Sequence, residues 1–140
     1  MSVDTSTGLL QEYVDALLNG GDFARFFTDD VVWTTVDTGE RITGRRAVAD
    51  HITTLHTRVF DARPEVRAMG AVGDHAFLEA DFVGTHTGRF GDLEPAGARV
   101  RVPYCVVYDL TGSGISALRL HMSMATLVGQ LQAGSGTPTG

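Results

Sequence analysis

The chain has 140 residues, 43% of them hydrophobic and 20% charged, the balance of one folded domain with a core rather than of a disordered segment. Its formal net charge is -6 and its 11 basic residues are scattered, which excludes the basic face that nucleic acid binding requires. No apolar run is long enough to span a bilayer, MSVDTSTG lacks the basic and apolar parts of a signal peptide, and Cys105 is the only cysteine, so no intrachain disulfide can form; the expectation is a cytoplasmic protein with no membrane partner.

Leu9-Leu10, Tyr13-Val14 and Leu17-Leu18 recur at the spacing of an amphipathic helix, which Asn19-Gly20-Gly21 ends. Asp22 is placed to cap a short helix through Phe26-Phe27. Val31 to Asp37 alternates around β-branched residues and Trp33, as a strand does, and Thr43-Gly44 leads into a helix from about Arg45 to Phe60. Pro64 opens an extended segment to Val72, and Gly73-Asp74 turns the chain into the strand Ala76 to Val83. After a loop from Gly84 to Gly97 come strands from Arg99 to Leu110 and from Ile115 to Met122, with Pro103 marking an edge or a bulge. Ser123 is an N-cap for a last helix, Met124 to Leu131. Residues 133–140, of small and polar composition, read as a flexible tail behind a single domain spanning 1–132. Helices first and strands afterwards is the α+β pattern.

The segments QEYVDALLNGGD, FFTDDVVW, ITGRRAVADHI, VGDHAFLEADFVGTHTG and VYDLTGSGISALRLHM together resemble the nuclear transport factor 2-like superfamily, and within it the SnoaL-like polyketide cyclases and ester cyclases. The resemblance implies a cone-shaped, curved antiparallel sheet wrapped around N-terminal helices, enclosing a blind apolar cavity. That scaffold hosts many functions, so activity has to be argued from individual residues. The ketosteroid isomerases of the same superfamily place a general base five positions after an Asp-Asp pair. Here the pair is Asp29-Asp30 and the matching residue is Thr35; their protonated aspartate is matched by Val106, and their tyrosine by Tyr13, one position off. Both acidic roles are empty, which excludes that constellation. In RLHMSMATLVGQL, His121 and Ser123 stand where similar SnoaL-like sequences carry Tyr and Asp, and Leu118-Arg119-Leu120 stands where another pattern carries a base.

On the strand AFLEADFV, side chains alternate between faces, so Leu78, Ala80 and Phe82 share one face and Phe77, Glu79, Asp81 and Val83 the other. The second set is either solvated or turned into the cavity; the resemblance turns it inward, together with Trp33, Thr35, Asp37, Tyr104, Val106 and Tyr108. Two carboxylates about 7 Å apart in an apolar site do not both ionise cheaply, and one acquires a raised pKa. Asp81 or Glu79 is then the expected base, with His56 or Tyr104 polarising the oxygen that gains charge. Trp33, Phe77 and Tyr108 would hold an apolar ring system, and Thr35, Asp37 and His121 complete the substrate-binding set. There is no His-x-x-x-His, no Cys pair and no tight acidic cluster, so neither a metal nor a cofactor is expected. The expected function is cyclisation or isomerisation of a hydrophobic polyketide- or terpenoid-like small molecule. Two rivals are epoxide opening through Glu79, Asp81 and Asp37, and a binding protein without catalysis. The resemblance also implies a homodimer formed through the outer sheet face, with Leu78, Ala80, Phe82 and Val107 as its apolar patch.

Overall fold

The computed structural model describes residues 2–135. The N-terminal stripe forms α1 (Val3–Leu18), which buries Leu10, Tyr13 and Val14. The helix begins well before the stripe because Ser2 Oγ accepts from Thr5 N–H at 3.1 Å. Buried Ser6 ties α1 to the sheet by donating to the Gly73 carbonyl at 2.8 Å. Asp22 makes no capping bond, and only a 3₁₀ turn, Phe23–Phe26, follows it.

Six strands form one curved, unclosed sheet in the order β2-β1-β6-β5-β4-β3. They are β1 (Phe27–Thr35), β2 (Glu40–Thr43), β3 (Phe60–Val72), β4 (His75–His86), β5 (Arg99–Thr111) and β6 (Gly114–Met122). The sheet is mixed rather than antiparallel throughout: β1 runs parallel to β6, and every other pair is antiparallel. The strand β2 had no apolar alternation to betray it, since only Ile42 of its four residues is hydrophobic. Pro103 sits between Val102 and Tyr104 in β5, beyond the last residue of β6 that pairs with this strand, where β5 is locally an edge and a missing N–H costs nothing.

The helix expected from Arg45 to Phe60 is two pieces. An α-helix, α2 (Arg45–Thr54), passes into a π-helical turn, Leu55–Val59, before β3 begins. Such wider turns shift the side chains that follow out of the regular helical stripe and are frequent at functional sites. The last helix, α3 (Met124–Ser135), is capped as expected, with Thr126 N–H donating to Ser123 Oγ at 3.1 Å. A second acceptor is Asp37, whose Oδ2 takes the Met124 N–H at 2.9 Å. Residues 136–140 of the expected tail lie outside the described residues.

Directly opposed residues on neighbouring strands share a face. Ala76, Leu78 and Ala80 of β4 oppose Tyr108, Val106 and Tyr104 of β5, and these oppose Leu118, Leu120 and Met122 of β6. That set lines the concave face toward α1 and α2. The opposite set, Phe77, Glu79, Asp81, Cys105, Val107, Arg119 and His121, lies on the convex face.

Candidate functional site: an aromatic cavity with a tautomer-fixed histidine

Between the concave face and the helices lies a cavity of about 580 Å³. Tyr13 and Leu17 of α1 form one wall; Tyr104, Val106 and Tyr108 of β5 with Leu118, Leu120 and Met122 of β6 form the opposite one. Trp33 and Thr35 of β1 lie at one side, Leu78, Phe82, Phe60 and Phe90 at the other, and His51, Ile52, Leu55 and His56 come from α2 and its π turn. Thr38, Gly39 and Glu40 of the β1–β2 turn, with Met124 and Leu127 of α3, complete it. Apart from the histidines and tyrosines, Glu40 is the only ionisable residue among these, and it is exposed.

The polar groups in this apolar shell are few, and their states follow from their partners. His56 Nδ1 lies 2.8 Å from the Ile52 carbonyl oxygen. A carbonyl only accepts, so Nδ1 carries the proton and Nε2 is left with a free lone pair. The ring packs edge-on against Phe82 at 5.6 Å, and burial lowers its pKa from the ordinary histidine value, although the bond to Ile52 opposes this. Neutral His56 is thus an acceptor, or a base, near neutral pH. His51 stands edge-on to Trp33 at 5.1 Å; burial lowers its pKa too, the charge of Glu40 opposing and neighbouring His56 adding to the shift.

Three tyrosines supply hydroxyl donors. Tyr13 and Tyr108 meet ring to ring at 5.7 Å. Burial raises the pKa of Tyr13, Tyr104 and Tyr108 above the ordinary phenol value, with mutual repulsion and, for Tyr104, the charge of Asp81 as smaller causes. All three stay protonated, and among the described residues none of their hydroxyls has a hydrogen-bond partner. The Trp33 indole N–H donates to Thr35 Oγ1 at 2.9 Å.

Of the expected site residues, the cavity collects His56, Trp33, Thr35, Tyr104 and Tyr108. It does not collect Glu79, Asp81, Phe77, Asp37 or His121. Glu79 is exposed on the convex face, opposite Cys105. Burial first, and the charge of Glu79 second, raise the pKa of that thiol. Asp81 is on the same convex face but covered: its side chain is 3% exposed beneath two arginines. Arg67 grips it with Nε–Oδ1 at 3.0 Å and Nη2–Oδ2 at 2.7 Å, while Arg101 Nη1 reaches Oδ2 at 2.9 Å and also pairs with Glu65. The bond from Arg67 holds the Asp81 carboxyl below its ordinary value, against the opposing effect of burial and with Arg101 assisting. The expected rise is therefore reversed, and Asp81 stays ionised as a structural anion. A register shift between Val66 and Ala68 in β3 is what frees Arg67 to reach it. Phe77 is 38% exposed and packs over Gly70; Asp37 is exposed and caps α3; His121 is exposed between the inward Leu120 and Met122. Leu78, Ala80 and Phe82 are core residues, so of the expected outer patch only Val107 lies on the convex face. The His86 imidazole is buried against Phe60, and neither of its nitrogens has a hydrogen-bond partner among the described residues.

Tyr13, His51, Phe60 and Phe82 line the cavity without having been singled out for it. Tyr13 sits three positions after Leu10 in the helical stripe, and Phe82 shares parity with Leu78, so both signals were present in the periodicity. His51 had none.

A family model, that of the SnoaL-like polyketide cyclases, matches residues 8–131. The chain belongs to that family. No curated protein matches it. Solved structures share the fold of this SnoaL-like domain at low identity. A protein described as a candidate polyketide cyclase from Xanthomonas campestris pv. campestris is 19% identical, with a TM-score of 0.81 over 92% of this chain and 98% of its own. An LEH-like epoxide hydrolase from M. tuberculosis is 18% identical, with a TM-score of 0.73 over 96% and 94%. A candidate hydroxylase from Streptomyces galilaeus, AclR, is 18% identical, with a TM-score of 0.76 over 99% and 89%.

Proposed function

We propose that this SnoaL-like domain cyclises or isomerises a hydrophobic polyketide- or terpenoid-like small molecule by proton transfer, without a cofactor, and that His56 is its general base. The observation that carries this is the bond from His56 Nδ1 to the Ile52 carbonyl, which leaves Nε2 unprotonated in an apolar cavity furnished with phenol donors. His56 Nε2 removes a proton from a carbon beside a ligand carbonyl. The electron pair moves onto the carbonyl oxygen, and a tyrosine hydroxyl stabilises the enolate. Attack of the enolate carbon on a second carbonyl closes a ring, and the proton on His56 passes to the new alkoxide. Return of the proton to a different carbon of the enolate system gives isomerisation instead. Epoxide opening ranks lower, because Glu79, Asp81 and Asp37 lie outside the cavity and Glu40 is the only carboxylate on its lining.

The test is proton exchange at carbon. In D₂O, 2-tetralone should exchange its α-protons faster with the protein than without, followed by NMR, and His56→Gln should lower the acceleration by about a hundredfold or more. No acceleration by the native protein would favour a binding role without catalysis. We further propose a homodimer through the convex face, where Phe77, Cys105 and Val107 replace the patch expected from the sequence; sedimentation at micromolar concentration as a monomer would refute it.

A further inference from the structure

The pairing of Trp33 with Thr35 has a consequence for what the cavity accepts. An indole N–H only donates, so in the 2.9 Å bond between them Thr35 Oγ1 is the acceptor. Both residues are only 6% exposed. The hydrogen of the Thr35 hydroxyl has no acceptor among the described residues, and both Trp33 and Thr35 line the cavity. The indole therefore occupies one lone pair of Oγ1 and leaves the hydroxyl hydrogen to be donated to a ligand.

We infer that Thr35, oriented by Trp33, is a specificity-determining residue that selects ligands presenting a hydrogen-bond-accepting oxygen, such as that of a carbonyl, ester or ether, at the β1 side of the cavity and rejects those presenting an apolar group there. This rests on reading the cavity as the substrate site and deepens it: ligand polarity is read at β1, apart from the proton transfer assigned to α2. A buried hydroxyl whose hydrogen finds no acceptor is costly, enough for a discrimination of about tenfold to a hundredfold.

Binding of 2-acetylnaphthalene is compared with that of 2-isopropenylnaphthalene, in which a methylene replaces the carbonyl oxygen, by equilibrium dialysis. The native protein should prefer the ketone by about tenfold or more. Thr35→Val, which keeps the β-branched shape, should reduce the preference to about unity, and Thr35→Ser should retain it. Trp33→Phe removes the bond that orients the hydroxyl, so it should lower the ketone preference. A ketone preference that survives in Thr35→Val would assign it to the tyrosines and overturn the inference. So would an unchanged ketone preference in Trp33→Phe, or failure of the native protein to bind either probe. The Trp33→Phe arm decides the matter should Thr35→Val fail to fold. None of these measurements needs turnover, so loss of the His56 reading in the exchange assay and loss of this one are separate results.

Discussion

Gly84 lies near the end of β4, opposite Ala62 of β3, where the two strands come together beside the aromatic floor of the cavity. A Cβ added to Gly84 would sit 2.5 Å from the Ala62 Cβ, 2.5 Å from the Asp61 carbonyl oxygen and 2.7 Å from the Ala62 Cα. These are backbone atoms and a side-chain stub, with no flexible end that can swing away, so Gly84→Ala has to push β3 outward. Overpacking of this kind costs about 1–3 kcal/mol, and the rigid neighbours put it at the upper end. Replacing glycine within a strand returns roughly 0.5–1 kcal/mol of backbone entropy. Overpacking wins, leaving a net loss of about 2 kcal/mol, or roughly 8 °C in Tm for a chain of this size. The same substitution at Gly8 should do the reverse. Gly8 is inside α1, and its added Cβ would meet nothing within 4 Å. There only helix propensity acts, and Gly8→Ala should stabilise by about 0.5–1 kcal/mol. Urea melts followed by circular dichroism give both values, with an unchanged slope showing that the unfolded state is not the cause. Gly84→Ala as stable as the native protein would refute the reasoning, since β3 would then yield without cost.

The exchange rate should be flat above the depressed pKa of His56 and fall only as pH drops through it, below the ordinary histidine value of 6.5. Stability has the complementary dependence. His51 and His56 are held neutral in the fold, so the unfolded chain binds more protons in acid; stability is complete above about 6.5 and declines as pH falls through that value toward the folded pKa values, read from urea melts at successive pH. Glu79→Gln should leave exchange activity unchanged, and a loss of tenfold or more would return the chemistry to the convex face. Ser123→Ala should cost about 1 kcal/mol through loss of its bond to Thr126 N–H, and Ser123→Asp about nothing, in the same melts; equal losses in the two variants would refute the capping role.

Local pattern was enough for much of this molecule. The stripe of Leu10, Tyr13 and Val14, the turn glycines, and the Ser123 cap are properties of residues a few positions apart, and each is set by periods or bonds within one element. The segments that resemble the SnoaL-like family carried the fold. Alternation in AFLEADFV likewise separated its residues into two sets, but a strand viewed alone has no inside. Which set faced the cavity depended on the register that opposes Ala80 to Tyr104 and Leu78 to Val106, a contact between residues far apart in sequence. Had that register been known, Phe77 and Tyr108 could not both have been turned inward. The state of Asp81 was equally nonlocal, because it depends on Arg67, delivered by a shifted register in β3, and on Arg101 from β5. Asp37 became a cap only because α3 begins beside it. A charged side chain announces its chemistry in the sequence, whereas its environment is assembled by tertiary contacts, and the environment decides whether a carboxylate is a base or an anchor.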